Sequence, residues 1–77
     1  MVKTIWVAVK SENGVIQGAE AHKTLHGCVL GILSDIDSRM VIDDEEGKRI
    51  GNTLESTHEY VGEDGISYKM MEACLRK

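Results

Sequence analysis

Apolar residues change their period along this chain, and the change divides it. From Thr24 to Ser38, TLHGCVLGILSDIDS, they fall at Leu25, Cys28, Val29, Ile32, Leu33 and Ile36. That is the i, i+3, i+4, i+7 spacing of one face of an α-helix. Upstream the pattern alternates. Over Val2 to Lys10, Ile5, Val7 and Val9 point one way and Trp6 and Ala8 the other, in a β-branched run that reads as a strand. Ser11-Glu12-Asn13-Gly14 follows, with Asn-Gly where a tight turn needs positive φ. Val15 to Ala21 then returns as the second strand of a hairpin, and Gly18 within it marks a bulge or a close approach.

The helix has recognisable borders. Thr24 is an N-cap, its hydroxyl placed to accept from a free N–H of the first turn. Gly27 and Gly31 share one side and cost about 1 kcal/mol each relative to Ala, which suggests a sheet backbone packed closely there. Asp35 and Asp37 sit at the end where the macrodipole disfavours negative charge, and Arg39 relieves part of that conflict.

Beyond the helix, Arg39 to Ile50 predicts a second hairpin: Met40 to Ile42 as an apolar strand, Asp43 to Gly47 as an acidic turn, Lys48 to Ile50 as the return. Asn52 and Glu55 match a capping box only loosely, so a strand over Glu55 to Val61 is favoured over a helical turn at Thr53 to Thr57. Gly62-Glu63-Asp64-Gly65 is a third turn. Ile66, Tyr68 and Met70 alternate after it, although Met70 to Leu75 is rich in helix formers; the tight turn favours a strand. The expected fold is one α+β domain over residues 1–77. It has an antiparallel sheet of four to five strands, ordered ββαβββ or ββαββ, and one helix across a face.

One helix covers one sheet face only. If it covers the Ile5 face, Trp6 is exposed as an anchor for a partner; if it covers the Trp6 face, the valines are exposed. Either way an apolar face lacks a cover, which argues for a homodimer or a partner protein. Composition points the same way. With 77 residues, no Phe, one Trp and two Tyr, the core must be built from aliphatic side chains and is small.

Charge is uneven. Residues 35–64 hold ten acids against Arg39, Lys48 and Arg49, while the flanks are weakly basic and the whole chain carries −4. No basic stripe is present, so direct contact with nucleic acid or an anionic membrane is disfavoured and a basic protein partner is favoured. The five-residue apolar run Ile5 to Val9 is too short for a signal-peptide core or a span, and the expected location is the cytoplasm. Cys28 and Cys74 suit a reducing compartment as packed thiols, a Cys28–Cys74 bridge being the weaker alternative.

Three chemistries can be weighed on this pattern. His22 and His26 are four apart, but zinc needs three or four ligands, and Cys28 lies on the apolar stripe away from His26. No metal or cofactor motif is present. A catalytic thiol needs a polar, partly open setting, and Cys28 sits between Leu25 and Ile32, so no enzymatic activity is expected. The acidic run Asp43-Asp44-Glu45-Glu46, with Glu63 and Asp64, is ordinarily a solvated surface, yet like charges in series also suit a basic groove. The resulting expectation is a non-catalytic interaction protein that inhibits or modulates a basic, nucleic-acid-handling partner, in the manner of small phage inhibitors. Asp43, Asp44, Glu45, Glu46, Glu63, Asp64 and Trp6 would make the contact. The alternatives are a ligand- or metal-binding domain using His22 and His26, or a homo-oligomeric structural subunit.

Overall fold

The computed structural model describes residues 2–76. The chain runs β1 (Val2–Glu12), β2 (Val15–His22), α1 (Leu25–Arg39), α2 (Asp44–Thr57), β3 (Glu59–Val61) and β4 (Ile66–Arg76). The four strands form one antiparallel sheet in the order β2-β1-β4-β3. Both helices lie on one face of it. The fold is α+β, as expected, but ββααββ, with two helices and four strands.

The first hairpin follows its turn chemistry. Asn13 and Gly14 adopt φ of 51° and 84°, the paired positive values of a two-residue turn matched to strand twist. Register then slips between Lys10 and Ser11: Lys10 faces Gly18 while Ser11 faces Ile16, leaving Gln17 as the extra residue of a bulge. The N-cap of α1 is Thr24, whose hydroxyl accepts from the Gly27 N–H at 3.0 Å. Gly31 lets α1 settle on β2, because a Cβ there would stand 3.0 Å from the His22 ring. β4 is a strand throughout, paired with β1 from Glu12↔Ile66 to Val2↔Arg76.

The expected hairpin at Arg39 to Ile50 is replaced by a helix. Asp43 caps it, its carboxylate accepting from the Glu46 N–H at 2.8 Å. Asp44, Glu45 and Glu46 fill the first turn, where the positive end of the macrodipole favours carboxylates. Ile50 and Leu54 are one turn apart and fully buried. Met40, Val41 and Ile42 form the connector rather than a strand, with Ile42 folded back onto the core. The strand expected over Glu55 to Val61 shrinks to Glu59–Val61, because α2 continues to Thr57 and ends on His58 at φ 62°.

The core lies between the helices and the inner sheet face. Cys28, Val29, Ile32 and Ile36 of α1 and Ile50 and Leu54 of α2 meet Ala8, Ile66, Tyr68 and Met70 of the central strands. Trp6, half-buried, shares that face and meets the His58 ring edge-on at 5.0 Å between centroids. Of the two orientations open to the sheet, the helices therefore take the Trp6 side. Ile5, Val7 and Val9 face outward, and the two-layer molecule is 20 Å through its thinnest axis.

Candidate protein-binding groove

Two concavities flank α1. The first lies beneath β2, about 280 Å³ in volume, lined by Lys10, Gly18, Glu20, Gly31, Asp35 and Tyr68 among others. Its polar groups are already engaged with one another. Lys10 Nζ is 2.9 Å from Asp35 Oδ2. The Tyr68 hydroxyl donates to the same oxygen and accepts from Arg39 Nη2 at 2.6 Å. Arg39 Nη1 donates to Asp64. Burial and the hydrogen bond to Asp35 push the Tyr68 phenol up to about 12. Partial burial would raise the Asp35 carboxyl, but the Tyr68 hydrogen bond with Lys10 and Arg39 outweighs it and holds the group below its ordinary value. Two cations face two carboxylates here, so the cluster is a self-neutralised tie between the end of α1 and the sheet.

The second concavity is the groove between α1 and α2, about 570 Å³. Glycines line its α2 side. A Cβ at Gly51 would meet Val29 and Leu33 of α1 at an ordinary contact distance of 3.7 Å, and one at Gly47 would meet Ile42 at 3.9 Å. Val29, Leu30, Leu33 and Ile42 form an apolar floor between the helices. Leu30 is 52 % exposed. Asp37, Asp43, Asp44 and Glu55 stand along the rim, with Lys48 as the one cation among the lining residues. Asp43 is occupied as the N-cap, and Asp37 accepts from the Ile42 N–H at 3.2 Å. Among the described residues no hydrogen bond or ion pair engages the Asp44 side chain.

The sequence-derived site residues thus divide. Asp43, Asp44, Glu45 and Glu46 sit together at the start of α2; Glu46 is paired with Arg49 at 2.9 Å. Asp64 lies in the β3–β4 turn, held by Arg39 and accepting from the Ile66 N–H, and that backbone hydrogen bond with Arg39 keeps its carboxyl low. Neither it nor Glu63 lines the groove. Trp6 belongs to the helix-covered face. Leu30, Leu33, Ile42 and Asp37 line the groove, although the sequence did not mark them as contact residues. Their signal was Leu30, an apolar residue outside the α1 stripe, and the four-residue spacing of Gly47 and Gly51.

The remaining candidates are dispersed. His22 lies beside Glu20 on β2 and His26 beside Glu55 on the helices, at 3.4 and 4.0 Å. Among the described residues no three His, Cys, Asp or Glu side chains converge. Cys28 and Cys74 are not bonded to each other, and burial, with Glu20 nearby, pushes the Cys28 thiol up, the inert direction for a nucleophile. No helix among the described residues is long and apolar enough to cross a membrane. No family model, no curated protein and no solved structure matches this chain.

Proposed function

We propose that the protein is a non-catalytic interaction module that holds a basic, amphipathic segment of a protein partner in the α1–α2 groove, and that it inhibits or modulates the partner by sequestering that segment. The observation that carries this is the groove's composition: an apolar floor of Val29, Leu30, Leu33 and Ile42 beneath a rim of four carboxylates and one lysine. A helix or extended segment with an apolar stripe would fill the floor, and its Lys or Arg side chains would meet the rim. Carboxylates on the rim act chiefly on encounter rate and partner choice, while the floor sets how long the complex lasts. Asp44, unpaired among the described residues, is the rim carboxylate most open to an incoming cation.

A labelled peptide with Leu at helical i, i+3, i+4, i+7 spacing and Lys elsewhere serves as the probe, read by fluorescence anisotropy. Binding should weaken steeply with salt, fall about tenfold or more in Leu30→Lys, which puts an ammonium on the floor, and fall with Asp44→Lys. A peptide of the same composition with its Leu residues scattered should bind less well. Absence of binding, or affinity indifferent to Leu30→Lys, would sink the reading.

A further inference from the structure

The outer face of the sheet is built like an interior. Along β1, Ile5, Val7 and Val9 alternate outward. Their cross-strand neighbours on that face are Ala73 beside Ile5, Ala21 and Met71 beside Val7, and Ala19 beside Val9. An antiparallel sheet with one face in water ordinarily carries polar residues there; a strand apolar on both faces is the pattern of one buried on both. No element of this chain covers the face among the described residues, and Met71 is 47 % exposed.

We propose that a second copy of the chain covers it, the two sheets packing face to face in a homodimer. Charge selects this occupant. Between Ile5 and Ser11 the charged residues at outward register positions are Lys69 and Glu59, opposite each other and of opposite sign, so the centre of the face carries no net charge for a charged partner to complement. A neutral apolar patch is complementary to itself, as a two-fold interface requires. Most of the acids lie elsewhere, on α1, α2 and the β3–β4 turn. Stacking the sheets about 10 Å apart sends both helix layers outward to roughly 30 Å separation, several times the ~8 Å screening length. Pairing through the α1–α2 grooves would instead set carboxylate against carboxylate.

Area is sufficient. β1 and β4 are 11 residues long, β2 is 8 and β3 is 3, and at about 3.4 Å rise and 4.8 Å spacing the sheet covers about 540 Å². Two copies then enclose roughly 1,100 Å² in flat projection, at the lower end of specific interfaces. Its β1 side chains are β-branched and flanked by Ala19, Ala21 and Ala73, a small-and-branched mixture of the kind that interdigitates between stacked sheets. The dimer would present two α1–α2 grooves on opposite sides, so a partner carrying two basic segments would bind with avidity.

Sedimentation velocity from micromolar to millimolar concentration tests the proposal. The wild-type chain should approach twice its 8.5 kDa mass. Val7→Lys places an ammonium at the centre of the face twice per dimer and should weaken association about a hundredfold or more, with far-UV circular dichroism unchanged. Should Val7→Lys fail to fold, isotope-filtered NOEs on a mixed labelled and unlabelled wild-type sample decide, expected between Val7 and Met71 methyl groups of different copies. A wild-type monomer at millimolar concentration, a dimer that persists in folded Val7→Lys, or intermolecular NOEs confined to other surfaces would overturn the proposal. Peptide binding in the groove is read separately and survives either result.

Discussion

α1 and α2 lie side by side on one sheet face, yet they are helices for different reasons. α1 is written in its apolar residues: four are buried, and Leu25 and Leu33 pack at the margin. Its C-terminal half is also fastened by polar chemistry, through Asp35 and Arg39 to Lys10, Tyr68 and Asp64. α2 is polar nearly all round, is interrupted by two glycines, and touches the core through Ile50 and Leu54. Its helical state depends on an Asp43 cap, a first turn of carboxylates and a neighbour to lean on. Helices of this second kind are formed by docking rather than by propensity.

The largest test removes one anchor from each. Ile36→Ala and Leu54→Ala both vacate fully buried sites and should each cost about 2–5 kcal/mol in urea denaturation. The difference should appear in native-state hydrogen exchange. Leu54→Ala should release α2 amides in a local opening while the sheet stays protected, whereas Ile36→Ala should lower protection across the molecule. A uniform response to both would erase the distinction between the helices.

pH separates them next. Tyr68 holds its proton more tightly folded than unfolded, so its contribution is complete below about pH 10 and is lost as pH rises toward about 12. Asp35 is shifted down, so its contribution is present above the ordinary carboxylate range and is lost as pH falls through its depressed value. Both groups tie α1, not α2. Urea midpoints measured against pH should therefore decline at both extremes. Tyr68→Phe should remove the alkaline decline; if that limb persists in Tyr68→Phe, the network is not its source.

The smallest effects concern glycine. At Gly51 a Cβ meets methyl groups at ordinary contact distance, so Gly51→Ala should stabilise by up to about 1 kcal/mol through helix propensity alone. Gly31→Ala gains the same propensity but presses the His22 ring at 3.0 Å, and should gain little or lose. A thermal melt that ranks the two in the opposite order would mean that α1, not α2, has room to spare.

The same contrast explains what could be read from the chain. The first hairpin, α1 with its Thr24 cap, and the strand from Ile66 were legible because turn chemistry, period and cap agreed with one another. α2 was not, because Asp43 to Gly47 satisfies two templates: an acidic hairpin tip ending in glycine, and a capped helix with carboxylates against the macrodipole. Ile50 and Leu54 alone could not decide between them, since two apolar residues four apart fit a helix but hardly establish a period. The groove inherited that ambiguity. Its acids were visible as a charge run, while its floor exists only once α2 is a helix lying against Leu33. The uncovered sheet face was legible as a fact but not as a side, since alternation places Trp6 and Val7 oppositely without saying which the helices choose.

The pairing of β1 with β4 also has a consequence in time. These neighbours lie at the middle of the sheet, joined residue by residue from Val2↔Arg76 to Glu12↔Ile66, yet they are far apart in the order in which a ribosome makes them. β1 can close its turn with β2 at once, because two residues separate them. Its other edge must wait for the helices and β3 to be synthesised, and loop closure across that span is slow compared with hairpin formation. During that interval the second edge of β1 is unpaired and Trp6 lacks its helices, and a neighbouring nascent chain offers the same strand. Rapid completion of β4 is then what keeps the open edge of the first hairpin from finding the wrong partner.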